Sequence, residues 1–206
     1  MTTAIKFCGL TRAEDVDAAV ALGVDAIGFV LTRRSRRFVD IAAARALRDR
    51  LAPFVTAVVL FMDDPPAWID DVIAAVRPDL LQFHGEESPD AVARFARPYL
   101  KAIPMAALAD AAAYAQQYTD AAGFLLDSHA AGSVGGTGVA FDWQRAPRLA
   151  KPVILAGGLD AGNVAQAIGV VRPYAVDVSS GIESAPGIKD AGKMRAFVEA
   201  VRAADR

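Results

Sequence analysis

Cys8, His84 and Asp127, together with two nearly bare stretches of backbone, Gly157-Gly158 and Ser179-Ser180-Gly181, are the residues of this chain best suited to chemistry. Cys8 brings a thiol whose reactive form is the thiolate. Asp127 brings a carboxyl, and because Ser128 and a glycine-rich loop follow it, it has no helix to cap. Glycine and serine at the ends of two apolar runs expose backbone N–H groups. Beside a helix N-terminus, such groups make a cup for an anion such as phosphate. Each feature also has a plainer reading. A lone cysteine commonly packs as a small apolar residue, a loop histidine commonly bonds to backbone, and a glycine pair commonly closes a turn. Their shared placement argues for chemistry, since each stands at the C-terminal end of an apolar run.

The runs that must position them alternate with helical patterns along the chain. Strands are expected at Ala4 to Cys8, Ala26 to Leu31, Thr56 to Phe61, Leu80 to Phe83, Leu100 to Ile103, Gly123 to Leu126, Val153 to Ala156 and Ala175 to Val178. Thr11-Arg12-Ala13-Glu14 reads as a capping box for a helix to Leu22. Asp40 caps a helix through Arg50, and Asp63 or Asp64 one that opens with Pro65-Pro66. Further helices are expected over Ser88 to Arg97, Leu108 to Tyr118, Trp143 to Leu149, Asn163 to Val170 and Asp190 to Ala203. Eight strands alternating strictly with eight helices, at roughly 26 residues per unit, predict one parallel (β/α)8 TIM barrel domain over residues 1–206. An open doubly wound sheet is disfavoured, because Cys8-Gly9-Leu10-Thr11 is not the glycine fingerprint expected after its first strand.

In such a barrel the strand C-termini form the working face, which gathers Cys8, an arginine loop, Gln82, His84, Asp127 and the two cups. Alternation points Lys6 and Cys8 into the barrel, sets Gln82 and His84 on one face, and aligns Asp177 with Ser179. Strand eight closes on strand one, so a buried Lys6–Asp177 ion pair is expected beneath the site, with Lys6 also favouring a Cys8 thiolate.

Composition removes several alternatives. The formal net charge is -2, and the one arginine run, Arg33, Arg34, Arg36 and Arg37, lacks interleaved aromatics, so no nucleic-acid partner is expected. A single cysteine and two histidines argue against a metal site on residue supply alone. No leader pattern follows Met1, and no run nears the roughly 18 apolar residues of a bilayer span, so a cytoplasmic protein without a membrane partner is expected. With no heptad or broad apolar stripe, the expected state is a monomer.

These residues together resemble the phosphoribosylanthranilate isomerase family over nearly the whole chain. The likeness is carried by Ile5-Lys6-Phe7-Cys8-Gly9-Leu10-Thr11, Ser35-Arg36-Arg37-Phe38, Leu81-Gln82-Phe83-His84-Gly85-Glu86-Glu87, Leu126-Asp127-Ser128, Gly135-Gly136-Thr137-Gly138, Leu155-Ala156-Gly157-Gly158-Leu159 and Val176-Asp177-Val178-Ser179-Ser180-Gly181-Ile182-Glu183. The resemblance implies an Amadori rearrangement of N-(5-phosphoribosyl)anthranilate to 1-(2-carboxyphenylamino)-1-deoxyribulose 5-phosphate, without cofactor or metal. It makes Cys8 the general base at C2 of the sugar and Asp127 the general acid at the ring oxygen. It also assigns the anthranilate carboxylate to an arginine of the Ser-x-Arg motif. Arg36 and Arg37 both stand near, and the spacing from Ser35 to Phe38 favours Arg37. Gln82 and His84 are expected at the ligand, Gly157, Gly158, Ser179, Ser180 and Gly181 at the phosphate, and Gly136 in a covering loop. The related isomerase of histidine biosynthesis fits less well, since it pairs two aspartates and needs a second anion cup. A non-catalytic phosphate-binding barrel would have no need of Cys8.

Overall fold

The computed structural model describes residues 2–128 and 140–206. Eight parallel strands close a barrel in chain order: β1 (Ala4–Cys8), β2 (Ala26–Val30), β3 (Thr56–Phe61), β4 (Leu80–Phe83), β5 (Tyr99–Pro104), β6 (Gly123–Asp127), β7 (Val153–Leu155) and β8 (Ala175–Val178). Closure is made by β8 beside β1, with Lys6 level with Asp177. Short buried runs pack on both faces, as parallel strands require. Inside the barrel Leu100, Ala102, Leu125, Ile154, Ala156 and Ala175 form a second, smaller apolar cluster. Outside, Ile5, Phe7, Ile27, Phe29, Phe61, Phe83 and Phe197 belong to the larger core beneath the helices.

The helices are α1 (Ala13–Ala21), α2 (Ile41–Arg48), α3 (Pro66–Val76), α4 (Pro89–Ala93), α5 (Ala111–Gln116), α6 (Val164–Val171) and α7 (Ala191–Ala204). Asp40, Ser88, Asp110 and Asp190 cap α2, α4, α5 and α7 by accepting from the amide three residues on. The capping box expected at Thr11 is not formed, because its hydroxyl donates to Gly187 O at 2.6 Å. Neither Asp63 nor Asp64 caps α3. Asp64 accepts from Met62 N, Asp63 accepts from Glu86 N, and Pro65 occupies the cap position. Helix α4 ends early, and beyond it Ala96 turns left-handed at φ 47°.

The sixth unit departs from the expected pattern in its described residues. Among the described residues no α-helix separates β6 from β7. The helix expected from Trp143 to Leu149 is a single 3-10 turn, Trp143–Arg145. Ala146 is extended, as the residue before Pro147 is driven to be, and the helix cannot propagate. After β8 the chain departs again. A 3-10 turn, Ser180–Ile182, leads into an antiparallel hairpin, β9 (Glu183–Ala185) and β10 (Ile188–Lys189), before α7.

Candidate active site

One pocket opens at the C-terminal ends of the strands. It is lined on its polar sides by Cys8, Arg37, Gln82, His84, Asp127, Asp177 and Ser179, and on its apolar side by Val30, Leu60 and Met62. Strand alternation delivers these side chains, because Cys8, Val30, Leu60, Gln82 and Asp127 are all inward positions of their strands. Cys8 and Asp127 face the same space from strands three places apart around the barrel.

Beneath Cys8 lies the expected ion pair, with Lys6 Nζ 2.8 Å from Asp177 Oδ1 and both side chains under 10% exposed. Gly28 on β2 makes this possible. A methyl group there would stand 2.9 Å from Cys8 Sγ and 3.1 Å from Lys6 Nζ, so only glycine leaves both side chains their place. Burial alone would push the Lys6 ammonium down, but Asp177 and Cys8 more than offset it, and its pKa lies above the usual lysine value. Lys6 favours the Cys8 thiolate as expected, but burial outweighs it. Burial pushes the thiol up, Lys6 pulls it down without reversing the shift, and Asp177 adds to the rise. The Cys8 thiol therefore favours its protonated form.

Across the pocket, Asp127 is 8% exposed and its Oδ2 lies 3.3 Å from His84 Nε2. His84 Nδ1 is 3.2 Å from Gln82 Nε2, so the shared face of β4 aligns both residues toward Asp127. The Gln82 carbonyl oxygen is buried in the pocket wall and has no partner among the described residues. Behind His84, the next turn is braced by a network absent from the sequence reading. Lys101 Nζ, fully buried, donates to Gly85 O at 2.6 Å and pairs with Glu87 at 2.8 Å, and Glu87 also accepts from Asp63 N and Gly85 N.

Of the arginine run, Arg37 lines the pocket while Arg36 is exposed. Arg37 is already held: Nε and Nη2 each donate to Glu183 at 2.7 Å in a bidentate pair. Burial alone would raise the Glu183 carboxyl, but Arg37 and Lys189 hold it below its usual value. Burial pushes Lys189 below the usual lysine range despite Glu183. Neither Glu183 nor Lys189 was assigned a role from sequence. The turn dipeptide Pro186-Gly187 between two short polar runs was the signal for their hairpin.

The two glycine-serine ends meet as expected. Gly157 and Gly158 are left-handed, at φ 82° and 67°. A methyl group on Gly157 would stand 2.5 Å from Ser128 N and 2.8 Å from Asp127 Oδ1, and one on Gly181 only 2.0 Å from Leu159 O. Only bare backbone lets the β7 turn approach the end of β6 at Gly157 and the β8 turn approach the β7 turn at Gly181. Among the described residues no backbone carbonyl accepts from the amides of Gly157, Gly158, Ser180 or Gly181. Of the cup residues, Ser179 alone lines the pocket with Cys8. Gly136, expected in a covering loop, lies outside the described residues. Among the described residues no group of three or more metal-ligating side chains occurs, and no helix is long and apolar enough to cross a membrane.

Comparison with known proteins matches residues 5–200 to the family described as N-(5'phosphoribosyl)anthranilate (PRA) isomerase. The N-(5'-phosphoribosyl)anthranilate isomerase of Pseudomonas putida (strain W619) is 52% identical over 200 residues, covering 97% of each chain. That of Stenotrophomonas maltophilia (strain R551-3) is 54% identical over 206 residues, covering 98% of this chain and 94% of its own. Among solved structures, a phosphoribosyl anthranilate isomerase in complex with reduced 1-(o-carboxyphenylamino)-1-deoxyribulose 5-phosphate superposes with a TM-score of 0.82 at 33% identity, over 98% of this chain and all of its own. The Thermus thermophilus enzyme does so with a TM-score of 0.84 at 39% identity, over 99% and 100%.

Proposed function

From the premise that this chain belongs to the N-(5'-phosphoribosyl)anthranilate isomerase family, an isomerase of tryptophan biosynthesis, we propose that Cys8 and Asp127 are its base and acid. The observation that carries the reading is the pocket itself. A thiol and a carboxyl face one space, which Val30, Leu60 and Met62 line together with Arg37 and Ser179.

The rearrangement begins with Asp127 donating its proton to the furanose ring oxygen, which breaks the C1–O bond and leaves a Schiff base between C1 and the anthranilate nitrogen. Cys8, as thiolate, then takes the proton from C2, and the electron pair moves toward C1 and nitrogen to give an enolamine. Tautomerisation to the C2 ketone gives the product. Asp127 must hold a proton until the ring opens, and burial with substrate anions nearby favours that form. Cys8 has the converse demand. It begins from the small thiolate fraction that its raised pKa allows, and the Lys6 ammonium limits the cost of forming it.

Val30, Leu60 and Met62 offer the aromatic ring an apolar wall, and Arg37 takes the carboxylate. Gly157, Gly158, Ser179, Ser180 and Gly181 anchor the phosphate through amides, with Gly136 in the loop above. Gln82 and His84 contact the sugar, the buried Gln82 carbonyl awaiting a hydroxyl donor. Binding at both ends of the substrate holds C2 against Cys8, so affinity remote from the reacting carbon is used to lower the barrier. Every assigned residue comes from one chain of 206 residues read as one domain, so the reading needs no second copy and fits a cytoplasmic monomer.

The test uses substrate formed in place from anthranilate and activated phosphoribose, with its fluorescence followed as it is consumed. The native chain should turn it over rapidly, and Cys8→Ser and Asp127→Asn should each lose most of that activity. Native-like turnover by either variant refutes the assignment of that residue.

A further inference from the structure

The β9–β10 hairpin is an addition to the barrel scheme, and no step above uses the two charged side chains it buries. Glu183 and Lys189 are 8% and 4% exposed. Glu183 Oε1 accepts from Arg37 Nε at 2.7 Å, from Lys189 Nζ at 2.8 Å and from Gly187 N at 3.2 Å, while Oε2 accepts from Arg37 Nη2 at 2.7 Å. Lys189 Nζ donates onward to Ser179 O at 3.0 Å. A continuous line of contacts thus joins the arginine loop after β2 to the end of β8.

Charge arithmetic gives this line a consequence. Arg37 held bidentately by Glu183 is a neutral pair, and a neutral pair has little net attraction for an arriving carboxylate. Lys189 adds a second cation to the same carboxylate, leaving the trio with one net positive charge that balances one ligand carboxylate. Its Nζ is enclosed by Glu183 and Ser179, so it serves through Arg37 and not by touching the ligand.

We infer that Lys189 is a positioning residue that sets carboxylate selectivity, converting the Arg37–Glu183 pair from a closed ion pair into a cationic receptor. The inference rests on the assignment of Arg37 to the anthranilate carboxylate. Ligands of the same length without the carboxylate should be indifferent to Lys189.

The test measures dissociation constants by calorimetry for two probes, reduced 1-(2-carboxyphenylamino)-1-deoxyribulose 5-phosphate and the same compound without its carboxylate. The native protein should prefer the carboxylated probe by about tenfold to a hundredfold, as one charge-assisted contact provides. Lys189→Met should remove most of that preference while changing the affinity of the second probe by less than about threefold, which also shows the variant to be folded. Lys189→Arg should retain the preference. The double variant Lys189→Met with Glu183→Gln, in which Arg37 alone supplies the net charge, should regain it. Lys189→Gln, which keeps donors toward Ser179 but drops the charge, carries the same test if Lys189→Met does not fold. Both probes weakening in parallel, or a preference untouched in Lys189→Met and Lys189→Gln, overturns the inference. So does a double variant no more selective than Lys189→Met. A native protein without preference overturns the Arg37 assignment itself and this inference with it.

Discussion

Lys6→Met isolates the charged floor of the pocket. Lys6 is 4% exposed and its ammonium lies 2.8 Å from Asp177, so the substitution leaves a buried carboxylate without its cation. Removing one partner of a buried pair costs about 3–5 kcal/mol, a large part of the roughly 5–15 kcal/mol that holds a native domain together. In urea this should move the unfolding midpoint down by about 1–2 M. Lys6→Met with Asp177→Leu, which removes both charges and restores apolar packing, should recover most of the loss. The pH dependence has a definite sign. Because the folded pKa of Lys6 is raised, its contribution is fully present below the unfolded lysine value and is lost only as pH rises through the folded one. The gap between native and variant should therefore be constant from neutral to mildly alkaline pH and narrow beyond about 10.5. The same variant reports on catalysis, since Cys8 is the only cysteine and the pH dependence of its alkylation rate follows one thiol alone. Losing Lys6 should raise the Cys8 titration midpoint, because Lys6 pulls that pKa down. A stability loss under about 1 kcal/mol, a double variant as unstable as the single one, or a Cys8 midpoint that falls would refute the reasoning.

Two glycines give independent tests of the geometry. Gly28→Ala places a methyl group 2.9 Å from Cys8 Sγ and should lower kcat by about tenfold to a hundredfold with only a modest fall in thermal midpoint, since flexible side chains can move aside. A variant with native kcat would show that Cys8 tolerates displacement. Gly181→Ala sets its methyl group against Leu159 O, which is backbone, so the β7 and β8 turns must separate. Stability should fall by about 1–3 kcal/mol in denaturant titration, and inhibition by inorganic phosphate should weaken by about tenfold. Unchanged phosphate inhibition would move the anion site elsewhere.

The barrel was legible because parallel strands buried on both faces leave dense apolar runs, and all eight were found, four with the expected ends and four with ends shifted by one residue. Alternation then sufficed to aim Cys8, Gln82, His84 and Asp127 inward and to pair Lys6 with Asp177 across the closure. The failures were at places where local signals compete. Thr11 has capping chemistry, but the hairpin offers its hydroxyl a tertiary acceptor in Gly187. Trp143 to Leu149 has helical composition, but Pro147 forces its neighbour into extended backbone. Glu183, Lys189, Lys101 and Glu87 look like ordinary surface charges in one dimension. Their burial depends on contacts far apart along the chain, as between Arg37 and Glu183, 146 residues apart. The pKa of Cys8 was illegible for the same reason: its sign is a contest between burial and three neighbouring charges, Lys6, Asp177 and Lys189, and no spacing along β1 reveals which prevails.

The central claim, that Cys8 and Asp127 perform the proton transfers in a pocket whose binding groups are separate from them, is tested most directly by comparing chemistry with binding in the same variants. Single-turnover rates and affinity for the reduced product analogue should be measured for the native chain, Cys8→Ser and Asp127→Asn. The account predicts turnover reduced by about a hundredfold or more in each variant, with analogue affinity within about threefold of native. Turnover near the native rate, or turnover and affinity lost in proportion, would contradict it.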